Sequence, residues 1–370
     1  MRVLVVNAGS STLKLTLLDD YDHIVDSREL PIDGSRFDPC ELTEILRSSI
    51  GEADAVGHRI VHGGERFTQA VRIDTGMKVA MRELCDLAPL HQPKSLTALD
   101  AVTEILPGLP AVACFDTAFH ASLPDAAATY ALPAAWRERW GLRRYGFHGL
   151  SHAWVARRVP QLLDRAASEL RIVSCHLGAG ASLCAIADGR SRDTTMGFTP
   201  LAGLVMATRS GDVDPGILLW LSEHEGISAA ELADALEHRS GLLGLCGTAD
   251  MREVLARVDS GDLQARLALD VYLHRLRGAI AAMAAALEGM DVLVFTGGVG
   301  EHSPAVRSRA ADGLGFLGVS LDETRNRQAS RDTEIGAGGA GVRTLLLASR
   351  EDLEIARQVR MVLEDQSQQA

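Results

Sequence analysis

The sequence has no paired CxxC spacing, no apolar run long enough to cross a bilayer, no signal-peptide pattern and no surplus of positive charge. Each absence excludes something. Cys40, Cys85, Cys114, Cys175, Cys184 and Cys246 stand apart, so neither a zinc site nor a disulfide framework is expected, and reduced thiols in the cytoplasm fit the pattern. The longest run of small apolar residues, Ala279–Leu287, is too short for a membrane span. The first residues pass directly into a strand pattern, not a targeting segment. With 37 Lys+Arg against 49 Asp+Glu the net charge is −12, which argues against nucleic-acid or membrane-surface partners. An anionic ligand therefore has to be met by a local group of arginines and lysines. At 370 residues, with 46% hydrophobic and 23% charged residues, the chain has the length for two or three domains and the composition of a soluble globular protein.

What is present starts at Val3–Lys14. Val3 to Val6 reads as a buried strand, Asn7 to Ser11 as a tight turn, and Leu13, Leu15 and Leu17 as the alternation of a returning strand. The tip of this hairpin, with Ser10 and Thr12 beside Gly9, offers hydroxyls and backbone N–H groups, and Lys14 adds a charge next to it. An ordinary hairpin with a polar turn reads the same way. A second copy favours the phosphate-facing reading. Ile172–Gly189 is again strand, Gly/Ser turn and strand, and Asn7-Ala-Gly-Ser-Ser-Thr-Leu aligns with His176-Leu-Gly-Ala-Gly-Ala-Ser-Leu after one insertion. Two copies half a chain apart point to a duplicated domain. A strand, not a helix, follows each turn, which argues against a dinucleotide fingerprint.

Further along, Arg59 interrupts the apolar strand pattern Ala55–Val61. A guanidinium there needs an anion: a ligand carboxylate or phosphate, or a structural acid nearby. Leu90 and His91 face a pocket or simply pack. Asp116 ends the strand pattern Ala111–Phe115, as a residue that positions a metal or an arginine, or as a helix N-cap. Tyr145-Gly-Phe-His-Gly presents His148 between glycines; His152 follows at i+4, but the glutamate of HExxH is missing, so a histidine that donates to an anionic oxygen is the better reading than zinc. Two loops rich in Gly, Thr and Pro follow, and Arg209 lies in the second. Helices are expected over Glu41–Ser49, Gly216–His224, Ser228–His238, Asp250–Val258, Leu263–Leu287 and Leu353–Glu364, and Tyr21–Glu52 is otherwise mixed and polar. Val292–Glu301 is a third strand running into a glycine turn, with a helix from Pro304.

Together these segments resemble the acetate kinase (acetokinase) family, within the acetate and sugar kinase/Hsp70/actin superfamily. The carriers are Asn7-Ala-Gly-Ser-Ser, Val56-Gly-His-Arg-Ile-Val-His-Gly-Gly-Glu, Phe115-Asp-Thr-Ala-Phe-His, Tyr145-Gly-Phe-His-Gly, Cys175-His-Leu-Gly, Met196-Gly-Phe-Thr-Pro-Leu and Phe295-Thr-Gly-Gly-Val-Gly-Glu, in family order across nearly the whole chain. The resemblance implies an α/β fold of two duplicated actin-like (ribonuclease H-like) domains with the active site in the interdomain cleft. Residues 1–116 plus 353–370 form the first domain and 117–352 the second, which binds nucleotide and dimerises. It implies reversible transfer of a phosphoryl group from ATP to acetate, by direct in-line displacement. Propionate or butyrate as acceptor, or a non-catalytic ATP-binding module, are the alternatives.

Residue by residue, the resemblance implies that Asn7 and Glu351 hold Mg2+, with Mn2+ as a substitute, and that Lys14 contacts ATP. Arg59 and Arg209 clamp the substrate carboxylate and the transferring phosphoryl, and His148 donates to it. For Asp116 the resemblance implies a proton donor or acceptor, but an acid already ionised near neutral pH needs no base, so orienting Arg59, Arg209 or Mg2+-bound water is the expected role. His176, Leu177, Gly178, Ala179 and Gly180, then Asp250, Met251 and Arg252, then Gly298, Val299, Gly300, Glu301 and His302 hold the nucleotide. Val61, Leu90, Phe147 and Pro200 line a small acyl pocket. Ala179 and His302 stand where the family has Asn, Lys94 where it has a second proline, and the region after Asp20 is shorter than usual.

Overall fold

A computed structural model describes residues 1–9, 12–32, 37–48, 52–88 and 92–369. Ser10 and Leu90 of the expected site lie outside the described residues. The chain separates into two units, one of Met1–Ala121, Phe147–Trp154 and Arg350–Ala370, the other of Ser122–Gly146 and Val155–Ser349.

In the first unit, Val3–Ala8 (β1), Thr12–Leu18 (β2) and Ile24–Pro31 (β3) form an antiparallel meander, with Asn7 facing Lys14 across the first hairpin. Ala55–Ile60 (β4) and Ala111–Phe115 (β6) add parallel strands, and the short Val71–Arg72 (β5) closes the edge, giving the order β3-β2-β1-β4-β6-β5. Strands β1, β4 and β6 are buried on both faces, as parallel strands are. Helix Gln92–Ile105 covers one face, through Ala98 and Val102 against Leu4, Val6 and Val56. The other face packs on helix Glu351–Gln369, through Ile355, Ala356 and Val359 against Val3, Val5 and Val112. Gly57 makes that approach possible: a Cβ there would stand 2.5 Å from Ile355 Cγ2 and 2.7 Å from Val359 Cγ2.

The second unit repeats the wiring. Arg171–Leu177 (β7), Ala181–Ala187 (β8) and Arg190–Thr194 (β9) form a meander, Val292–Thr296 (β10) and Arg343–Leu346 (β12) run parallel to β7, and Thr333–Glu334 (β11) pairs antiparallel at the edge. The order β11-β12-β10-β7-β8-β9 is that of the first sheet strand for strand. Helix Leu263–Ala286 buries Leu269, Tyr272, Leu276 and Ile280. This is the duplicated α/β architecture: the paired hairpins imply the duplication, and the family resemblance its actin-like form.

Local structure departs from the sequence reading in three places. The first helix runs Pro39–Arg47, starting two residues before the expected Glu41: Asp38 accepts from the N–H groups of Cys40 and Glu41, and proline is well suited to the first helical position. The polar stretch after Tyr21 contains β3, an edge strand whose exposed side chains hide its alternation. Gly297–His302 is a short helix instead of a turn. Gly297 takes φ +77° as the chain leaves β10. The helix cost of its glycines is offset by packing against Leu177 and by Arg307, which donates at 2.8 Å to both the Gly300 and Glu301 carbonyls.

Candidate active site

In the first unit, parallel register carries three of the expected site side chains to the carboxyl ends of adjacent strands. Val6 pairs with His58 and Ile60 with Phe115, so Asn7, Arg59 and Asp116 emerge side by side. Arg59 donates to Asp116 Oδ2 from Nε at 3.0 Å and from Nη2 at 2.6 Å, and from Nη1 to Asn7 Oδ1 at 3.1 Å. Asn7 Nδ2 donates to Glu351 Oε2 at 3.3 Å, and that oxygen lies 4.0 Å from Arg59 Nε. The Asp116 carboxylate is 1% exposed and the Arg59 side chain 15%. Burial opposes the charge on Arg59, but Asp116 and Glu351 outweigh it and raise the guanidinium's pKa, so it stays cationic.

The loop bearing His148 is anchored to the same strand end. Gly149 N donates to Asp116 O at 2.8 Å, and a Cβ on Gly149 would overlap that oxygen. His148 itself has φ +55°, in the left-handed region that disfavours side chains other than glycine. Phe147 is buried with its carbonyl 3.1 Å from His120 Nε2, and its ring meets His62 edge-on at 5.5 Å. His152 stacks edge-on against His120 at 5.7 Å. Val61 is buried at the end of β4. Lys14 projects half-exposed from β2, 3.8 Å from Glu29.

In the second unit, the hairpin turn closes through Gly178 N to Gly180 O at 2.9 Å, and His176 pairs in register with Thr296. That register sets the start of helix Gly297–His302 against Leu177. The Arg209 segment joins the same hairpin through Ala207 N, which donates to Ala179 O at 3.0 Å. Arg209 Nη1 donates to Pro200 O at 3.2 Å, and its Nε lies 3.0 Å from Glu237 Oε2. Glu301 accepts from Ser349 N at 2.8 Å, and His302 is exposed. Asp250 caps helix Met251–Asp259 and pairs with Arg252, its carboxyl held down at about 2 by the Arg252 hydrogen bonds. Met251 is buried beneath them, while the Arg252 side chain is 91% exposed.

The structure thus joins Asn7, Arg59, Asp116 and Glu351 in one network, and the His176–Gly180 turn with the 297–302 helix in another. A model of the acetokinase family matches residues 40–357. The chain belongs to the acetokinase family. It is 42% identical to the acetate kinase of Dictyoglomus thermophilum over 396 positions, covering 98% of this chain and 99% of the relative. It is 43% identical to that of Gloeobacter violaceus over 399 positions, covering 97% and 98%. The crystal structure of Porphyromonas gingivalis acetate kinase superposes with TM-score 0.89 at 35% identity, covering 98% of this chain and 99% of that one. A propionate kinase from Francisella tularensis superposes with TM-score 0.90 at 33% identity, with the same coverage. As an acetokinase the chain is a phosphotransferase with a carboxyl group as acceptor.

Three supports of this acetokinase escape sequence reading. Gln92 is buried and holds the strand end after Arg59, donating to His62 O and accepting from His62 N, both at 3.0 Å. Arg307 is buried and spans Gly300, Glu301 and Asn326. Glu237 pairs with Arg209. Each sits on a helix, and only the third dimension singles it out.

Proposed function

We propose that the chain transfers the γ-phosphoryl group of ATP directly to acetate, giving acetyl phosphate and ADP, reversibly and with Mg2+. The observation that carries the reading is Arg59: a permanently charged guanidinium fixed by Asp116 and Asn7 at the carboxyl end of parallel strands. Direct transfer to a carboxylate needs alignment and charge neutralisation more than covalent help. In this mechanism Arg59 and Arg209 bind the acid and the transferring phosphoryl, and His148 donates to the phosphoryl oxygens as charge develops there. Asp116 orients Arg59 and takes no proton, because acetic acid is ionised near neutral pH. The turn at His176–Gly180, the cap at Asp250–Arg252 and the helix Gly297–His302 receive the nucleotide, with N–H groups toward its phosphates. Lys14, Ser10 and Thr12 serve the nucleotide from the first hairpin. Val61, Leu90, Phe147 and Pro200 bound the acyl group.

Asn7 and Glu351 offer one amide oxygen and one carboxylate within one hydrogen-bonded set. That fits Mg2+, which keeps most of its ligands as water and substrate phosphate, and does not fit an all-protein cage. Mg2+, when bound, neutralises phosphate charge. Propionate is the second acceptor, favoured by the likeness to the Francisella propionate kinase. A cytoplasmic homodimer completes the proposal. Ile217, Leu219 and Trp220 on helix Pro215–His224, with Leu263 and Leu267, leave apolar surface exposed for a second copy. No helix among the described residues is long and apolar enough to cross a membrane.

The test is acyl phosphate formation, trapped as hydroxamate, from ATP, Mg2+ and acids from formate to butyrate. The expected maximum is at acetate or propionate, lost in Arg209→Ala. Nucleotide binding without turnover of any acid would sink the proposal and leave a binding module. A maximum at butyrate would redirect it to a longer acceptor.

A further inference from the structure

The segment carrying Arg209 is sewn to helix Ala229–His238 and to the residues just after it. Ser210 N donates to Leu236 O at 3.1 Å, Thr208 Oγ1 to Glu237 O at 2.8 Å, Ser240 N to Thr208 O at 2.9 Å and Leu242 N to Met206 O at 3.0 Å. Backbone on both sides of the Arg209–Glu237 pair is therefore fixed. The pair is mostly buried, with side chains 17% and 12% exposed, and its Nε–Oε2 distance is 3.0 Å. Nη1 is held from another direction by the Pro200 carbonyl at 3.2 Å.

A carboxylate so placed has two opposing effects on an arginine that receives anions. It fixes the plane of the guanidinium, so a ligand meets a preorganised donor. It also lowers the positive potential the ligand feels, because at a few ångströms and low solvent exposure the repulsion between two carboxylates is poorly screened.

We infer that Glu237 is a positioning residue that holds Arg209 in its working orientation and weakens ground-state binding of the acceptor acid. The inference rests on the role proposed above for Arg209. Its consequence is that the acceptor binds loosely against a standing carboxylate, and the aligned arginine is spent on the transition state instead.

Glu237→Gln separates the two effects, since the amide oxygen still accepts from Nε but carries no charge. The expected result is an acetate KM lowered roughly three- to ten-fold, with kcat within about two-fold and the ATP KM unchanged. Glu237→Asp does the converse: it keeps the charge and loses the reach, so kcat falls roughly five- to ten-fold with the acetate KM within about two-fold. Thermal melting is followed alongside. Either variant decides the matter if the other fails to fold. A pair that is merely structural lowers the melting temperature of Glu237→Gln and leaves the acetate KM where it was, which overturns the inference. A wild-type protein that phosphorylates no acid overturns the proposed function itself, so the two failures are distinct.

Discussion

At the scale of single residues, the site is governed by one guanidinium and what holds it. Arg59 donates two hydrogen bonds to the single oxygen Oδ2 of Asp116 and a third to Asn7 Oδ1. Asp116→Asn keeps one acceptor but loses the charge and the paired geometry. Its expected effect is a fall in kcat/KM for acetate of roughly ten- to hundred-fold, read by hydroxamate assay, because a misplaced donor acts on the transition state. An unchanged rate would mean that Asp116 holds structure only. Arg59 and Asp116 were legible in the sequence because a charge inside or at the end of an apolar strand calls for an explanation. Their direct pairing was open, since the same pattern suits a ligand or a structural acid; the geometry puts Asp116 on Arg59. Glu237 carries no such signal: on a polar helix it is one acidic residue among several, and nothing in its spacing marks the arginine it meets.

At the scale of elements, the glycine-rich helix Gly297–His302 depends on a residue two turns further on. Arg307 is 0% exposed, donates to Gly300 O and Glu301 O, and reaches both Oδ1 and the carbonyl of Asn326 at 2.7 Å. Burial pushes its pKa down to about 10, still far above neutrality, so the helix end is held by a cation. The carbonyls at a helix C-terminus carry partial negative charge, which this cation satisfies. Lysine cannot span the four contacts. Arg307→Lys is expected to cost about 2–4 kcal/mol in urea unfolding. It should also raise the ATP KM several-fold while sparing the acetate KM. Equal shifts in both would show that the helix does not serve the nucleotide. The hairpins, the long alanine-rich helix and the capped helices were readable, because periodicity and caps are local. Edge strand β3 and the 297–302 helix were not: the one has exposed side chains, and the other owes its form to Leu177 and Arg307 rather than to its own glycines.

At the scale of the molecule, acid stability depends on two histidines buried in the first unit. His58 is 1% exposed and His62 0%. Burial pushes His58 from 6.5 down to about 3, with Lys78 adding to the effect and Asp100 opposing it, and pushes His62 down to about 4. Below pH 6.5 the unfolded chain takes up a proton on each histidine and the native one does not, until those lower values are reached. Stability is therefore full above 6.5 and falls as the pH drops, by up to about 1.4 kcal/mol per pH unit for each histidine. Urea midpoints at pH 7, 6 and 5 should fall in step, and His58→Leu should flatten the slope by one proton; a slope unchanged in that variant would remove His58 from the account. The shared wiring of the two sheets was visible in sequence only at the hairpins, where small residues repeat. The parallel strands β4 and β10 occupy equivalent places in the two orders but present Arg59 in one and a glycine helix in the other. The first sheet is covered on one face by helix Glu351–Gln369, whose Ile355 and Val359 close over Gly57. On the ribosome, β1 to β6 emerge early yet wait for about 240 further residues before that face can be shielded, so the second unit, complete once Ser349 is made, is placed to fold first and the first-made strands to settle last.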